Sequence, residues 1–327
     1  MPYLRGHRRW ALPALLLLVA LAGCQSRAPL SAGMPGEAQV PAVPFFPQDD
    51  YQCGPAALAT VLGSAGVAAA PQALVAEVWL PQRQGSLAME LVAAARARER
   101  LVYPVTTPSA LMANLDVGYP VLVLQNLALS FYPRWHFAVV TGYRRDGASV
   151  ILNTDTREAE PMRWNRFVRT WQRADQQGWV VLPVGELPPQ TRPVLLVQAL
   201  EELAGTAGAA AAAPYWHATA QRHPDDYLVQ FALGNHLWAR QQSAAAIEAW
   251  RTATVLRPQA FAAWNNLALA LAALGCDTAD ALRGARHSEH APQALAALER
   301  RLAATATTVA ASTAAASATA TNIAACR

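Results

Sequence analysis

Lysine is absent from this 327-residue chain, and all 26 of its Lys-or-Arg residues are arginine. That removes a lysine nucleophile, a Schiff-base lysine and the lysine of a phosphate-binding loop from the chemistry open to it. Cysteine and histidine are scarce as well. Between residues 24 and 190 they comprise Cys24, Cys53 and His136, too few for a His/Cys zinc cluster. No metal or cofactor is implied. The formal charge is only +4, and Arg5, Arg8 and Arg9 contribute three positive charges in an acid-free N-terminal stretch, so nothing signals nucleic acid.

What is present begins with an address. Residues 1–23 read as a secretory signal, with a basic start (Arg5, His7, Arg8, Arg9) and an apolar stretch from Trp10 to Ala22 that is short for a bilayer span. Leu21-Ala22-Gly23-Cys24 resembles the bacterial lipobox, which implies diacylation of Cys24 and a membrane anchor worth about 0.8 kcal/mol per buried methylene. Gln25, rather than Asp, follows the cysteine. By the same resemblance the protein is exported and held at the outer membrane, facing the periplasm. Residues 24–42, with Pro29, Pro35 and Pro41 among glycines, read as a flexible tether.

The length calls for about two domains. Residues 43–184 mix apolar helical stretches near 53–65 and 86–100 with short β-rich runs, an α+β pattern. Val121-Leu122-Val123-Leu124 reads as a buried strand. Trp135 to Tyr143 and Ser149 to Leu152 flank a hairpin turn at Arg144-Arg145-Asp146-Gly147, which puts His136 at a strand start. A proline-marked linker over residues 185–192 precedes an alanine-rich helical region, residues 193–302. There Pro224, Pro258 and Pro292 recur every 34 residues, the period of tetratricopeptide repeats. The second repeat's closing helix looks degenerate at Asp280 and Gly284, and residues 193–222 read as one more helix pair interrupted by Gly205 and Gly208. Residues 303–327, nearly all Ala, Thr and Ser, are expected to be disordered. Cys276 and Cys326 could be thiols or a disulfide, and a disordered tail argues against the bridge.

The chemistry lies in the first domain. Gln48-Asp49-Asp50-Tyr51-Gln52-Cys53-Gly54-Pro55-Ala56-Ala57 sets a cysteine at a helix start, where Pro55 suits the first turn and Gly54 allows close backbone approach. The helix N-terminus and a nearby imidazolium should lower the thiol's pKa. This stretch, with His136-Phe137-Ala138-Val139-Val140-Thr141-Gly142-Tyr143, resembles the papain-like bacteriocin-processing cysteine peptidases and their stand-alone relatives (peptidase C39-like) over about residues 43–184. The resemblance implies a papain-like fold and a catalytic set of Cys53, His136, Asp155 and Gln48. Cys53 would attack a carbonyl, His136 would carry the proton, Asp155 (or Asn153) would orient the imidazole, and Gln48 (or Gln52) would serve the oxyanion. Gln48 precedes Cys53 by five positions and Thr156 replaces the usual proline. Trp164, Trp171 and Trp179 read as core or rim residues, Asp49-Asp50 as a solvated turn, and the five histidines beyond residue 190 as no site.

The expected function is a membrane-anchored peptidase cutting a peptide or protein, with the repeats holding substrate or a protein partner. The alternatives are a catalytically silent binding scaffold and a thiol amidase or acyl transferase acting on the cell envelope, which would share the acyl-enzyme.

Overall fold

The computed structural model describes residues 36–48, 52–146, 148–289, 292–313 and 326, with the side chains of 307–313 left aside. Strand β1 (Glu37–Gln39) leads into helices α1 (Cys53–Ser64), α2 (Pro71–Val78) and α3 (Ala88–Ala97). Then come β2 (Leu101–Pro104), α4 (Pro108–Asp116), β3 (Val121–Asn126), β4 (Trp135–Arg144), β5 (Ser149–Thr154), β6 (Arg157–Arg163), α5 (Trp164–Gln172) and β7 (Gly178–Leu182). The remaining elements are helical: α6 (Pro193–Ala207), α7 (Ala209–Arg222), α8 (Tyr227–Ala239), α9 (Ser243–Leu256), α10 (Phe261–Ala273), α11 (Ala279–His287) and α12 (Pro292–Thr313). An α+β papain-like domain followed by an all-α region is therefore the architecture, as the sequence pattern indicated.

The strands form one antiparallel sheet in the order β2-β7-β3-β4-β5-β6. Its spine is β4. Residues Trp135 to Val140 pair with β3, and beyond them Gly142 to Arg144 pair with β1. Gly142 is needed there, because a Cβ would lie 2.5 Å from the Ala38 carbonyl oxygen. Side chains alternate between two cores, as a pleated strand requires. Val121, Val123, Ala138 and Val140 pack on one face with α4 and α5, while Leu122, Phe137 and Val139 pack on the other with α1, α2 and α3. Helix α1 is buried from Gly54 to Leu62, and its apolar all-round composition suits a helix enclosed on every side.

The linker is less of a boundary than its prolines imply. Leu196, Leu200, Leu203, Tyr215, Trp216 and Val229 belong to the same core as Leu101, Tyr103, Val180 and Leu182. The Tyr215 hydroxyl accepts from the Leu101 N–H at 3.2 Å and lies 3.2 Å from the Leu182 carbonyl, joining α7 to β2 and β7. Arg96 of α3 pairs with Glu202 of α6. The first helix pair of the helical region thus joins α4 and α5 in covering the same face of the sheet.

Beyond it, hairpins α8–α9 and α10–α11 build a further core around Trp250, Leu267 and Leu271. Gly208, at φ 91°, makes the turn between α6 and α7 instead of disrupting the pair. The apparent degeneracy at Gly284 also has a packing reason: a Cβ there would lie 2.5 Å from the Trp264 indole, as one at Gly234 would lie 2.4 Å from that of Trp250. The tail departs from expectation. Helix α12 runs on through residues 303–313, and Cys326 is disulfide-bonded to Cys276. Alanine is the best helix former, so the Ala-rich segment prolongs a helix whose earlier turns are anchored by Leu295, Leu298 and Leu302 in the core around α10, where composition alone reads disorder. Residues 314–325 and 327, the signal and Cys24 lie outside the described residues, whereas the end of the expected tether does not: Glu37–Gln39 pair with β4 and Val40 is buried, so residues 36–42 belong to the folded domain and not to a flexible tether.

Candidate active site

A cavity of about 1170 Å³ opens where the start of α1 meets the start of β4, and Cys53, His136, Asp155 and Gln48 all line it. Four side chains chosen from three separate stretches of sequence thus converge on one space. Gln52 is the N-cap of α1 and does not line the cavity, so of the two glutamines Gln48 is the one placed to reach it. Its backbone N–H donates to the Asp155 carbonyl at 3.1 Å, which ties the segment before Cys53 to the turn after β5. Asp49 and Asp50 lie outside the described residues.

Cys53 opens α1. Backbone N–H groups of Phe137, Gly54 and Cys53 itself point at its sulfur and favour the thiolate. Burial opposes them and prevails, pushing the thiol above its ordinary value, with the Asp155 carboxylate adding to the rise. This reverses the expectation from sequence: the helix-terminal donors are present, yet desolvation outweighs them. His136 is 8 % exposed, and burial together with Arg134 and Arg157 pulls its pKa below the usual imidazole value, against an upward pull from Asp155. Both shifts favour the neutral forms, thiol and imidazole, in the one cavity. Alkylation of Cys53 by iodoacetamide is accordingly expected to rise with pH through a midpoint above about 8.5, the ordinary thiol value. Asp155→Asn, by removing a negative charge, should lower that midpoint. Mass-spectrometric labelling rates across pH 6–10 measure both.

The imidazole's partner is a residue that sequence reading missed. His136 Nε2 lies 2.7 Å from Thr154 Oγ1, and both residues are buried. Asn153 is committed elsewhere, accepting from the Ala159 N–H at 3.1 Å and reaching the Pro44 carbonyl at 3.5 Å. Asp155 sits in the turn beyond, at φ 51°, half-exposed and paired with Arg157 at 3.4 Å. It therefore acts on His136 through its charge, whereas Thr154 makes the contact. Ser86 was also missed. Its Oγ is buried, has no hydrogen-bond partner among the described residues, and belongs to a residue that lines the cavity. A Cβ on Gly54 would come within 2.3 Å of that oxygen, which is why glycine follows the cysteine. The three tryptophans are packing residues, with Trp164 and Trp171 buried and Trp179 partly so.

A cysteine at the head of a buried helix and a histidine at the start of an antiparallel strand thus line one cavity of an α+β, papain-like domain. Residues 40–179 match the model of the Peptidase_C39 like family, which spans the α+β part and less than half of the whole chain. No curated protein matches. Among solved structures, one from Bacillus anthracis described as a C39-like peptidase is 16 % identical, aligning over 45 % of this chain and 98 % of its own with a TM-score of 0.37. The peptidase domain of Streptococcus ComA, a bi-functional ABC transporter of a quorum sensing pathway, is 23 % identical over 43 % and 98 %, with a TM-score of 0.36.

Proposed function

We propose that the protein is a cysteine peptidase acting on a peptide or protein, anchored to the outer membrane through Cys24 and facing the periplasm. The observation that carries the catalytic reading is the convergence of Cys53, His136, Gln48 and Asp155 on one cavity. His136 takes the Cys53 proton as the sulfur attacks the scissile carbonyl carbon. It returns that proton to the leaving amine as the C–N bond breaks, and water then hydrolyses the thioester. The Gln48 amide and the Cys53 backbone N–H serve the oxyanion. Thr154 positions the imidazole. Its hydroxyl can both donate and accept, so it can serve the neutral ring and accept from the imidazolium N–H during turnover. The 34-residue periodicity and the hairpins α8–α9 and α10–α11 support a tetratricopeptide reading of the helical region, which would hold substrate or a protein partner.

The test is cleavage of a diverse peptide library read by mass spectrometry, wild type against Cys53→Ala. Cuts that depend on Cys53 support the peptidase. Turnover of no peptide, together with no acyl transfer to added amines, would sink it. The silent scaffold would then be favoured, and the raised thiol and the neutral partner of His136 already lean that way. For Thr154, replacement by valine should lower kcat by about 10- to 100-fold with little change in KM, and serine should restore most of it. Steady-state kinetics of the two variants, with unfolding temperatures as a check on fold, decide this.

A further inference from the structure

Four charged side chains line the cavity: Arg83, Arg134, Arg157 and Asp155. Arg157 is matched by Asp155 at 3.4 Å and Glu160 at 3.0 Å. Among the described residues the guanidinium groups of Arg83 and Arg134 have no hydrogen-bond or ion-pair partner. They stand on separate walls. Arg83 is carried by the loop that the Leu80 and Gly85 backbones close at 2.8 Å, next to Ser86 with its unpartnered buried hydroxyl. Arg134 sits two residues before His136, and its backbone is held on both sides. Its N–H donates to Asn126 Oδ1 at 3.0 Å, and its carbonyl accepts from the Leu127 N–H at 2.9 Å. Both cations are thus mounted on fixed backbone at the edges of the space where Cys53 and His136 meet.

We infer that the substrate carries a carboxylate within one or two residues of the scissile bond, held by Arg83 and Arg134 with Ser86 as a further donor. Guanidinium forks bind carboxylates with short, charge-assisted hydrogen bonds. The arrangement also bears on the chemistry. Arg134 disfavours charge on His136, yet the imidazole must become cationic when it takes the thiol proton. A substrate carboxylate seated on Arg134 cancels that repulsion at the moment the imidazolium forms, so an acidic substrate is both bound and helped to react. This inference rests on the peptidase reading for its turnover arm and is independent of it for its binding arm.

The binding arm uses full-length Cys53→Ala protein and fluorescein-labelled, C-terminally amidated peptide pools differing in one fixed position, Glu or Gln. A parallel pool has Gln and a free C-terminal carboxylate. The expected result is about 10- to 100-fold tighter binding of one carboxylate-bearing pool, weakening as salt rises, and the pool that wins says whether a side chain or a chain end supplies the group. In Arg83→Gln/Arg134→Gln the preference should fall to within about 3-fold, and in Arg83→Lys/Arg134→Lys most of it should return. In the turnover arm, kcat/KM of the wild type for Glu- over Gln-containing library peptides should show the same preference. Equal binding of all pools, or a preference that survives the double Gln variant, overturns the inference. A charge preference in binding without any cleavage leaves the carboxylate site of Arg83 and Arg134 standing and removes the peptidase.

Discussion

Cys53→Ala is expected to reduce kcat/KM by about 10³- to 10⁶-fold, the range seen when a nucleophile acting as a unit with its base is removed. The loss should reside in kcat, since the side chain is small and its bond to another element is the weak one its sulfur accepts from the Phe137 N–H. Thermal unfolding of the variant should coincide with that of the wild type. His136→Ala should come close to the same loss, because a thiol raised above its ordinary value by burial depends on the imidazole to remove its proton. Measuring single-turnover rates and unfolding curves for both variants separates the chemistry from stability. A Cys53→Ala protein that still cuts would place the nucleophile elsewhere.

The second large effect concerns the helical region. Ending the chain after residue 185 should yield an insoluble or molten product instead of an independent peptidase domain. Leu196, Leu200, Leu203, Tyr215, Trp216 and Val229 cover the face of the sheet that presents Leu101, Tyr103, Val180 and Leu182. Each such side chain contributes about 1.5–3 kcal/mol when buried, so losing these six costs about 9–18 kcal/mol, as much as the 5–15 kcal/mol by which a domain is usually stable. Ending the chain after residue 257 keeps that layer and should preserve a cooperative transition, because α8 is the element that faces both ways. Its Val229 and Ala232 belong to the sheet's core, while Phe231, Leu237 and Trp238 pack on the next one. Sedimentation and calorimetry of the two truncations decide the matter. A soluble fragment 36–185 with sharp unfolding would show that the shared core is dispensable.

Much of this was readable in the sequence, for definite reasons. Strands β3, β4 and β5 announced themselves through β-branched runs and the turn between them, and Cys53 and His136 through motifs whose positions at a helix start and a strand start carry meaning. Helices α2, α4 and α5 did not. They are eight or nine residues long, and α5 is built of Trp, Phe, Val and Thr, which favour strands when isolated, although Trp164, Phe167, Val168 and Trp171 trace one helical face. Thr154 was hidden by irregular pairing. The register shifts between Val140 and Gly142 on β4, and again between Leu152 and Thr154 where β5 meets β6. A shift of one residue exchanges the faces of a strand, so counting along β5 cannot decide whether position 153, 154 or 155 meets the imidazole. The direction of the Cys53 shift was equally out of reach, since burial is a property of the assembled fold.

The way β1 lies along β4 has a consequence for orientation. Glu37 sits beside Arg144, at the opposite end of β4 from His136. At about 3.3 Å per residue the two ends of that interval are roughly 26 Å apart. From Gly36 the chain then runs back along the sheet to reach Gln48 at the cavity. Whatever is attached upstream therefore grips the molecule by its blunt end. If that attachment is a lipid, the mooring joins the fold at the end of β4 remote from His136, so it does not have to pass the mouth of the cleft.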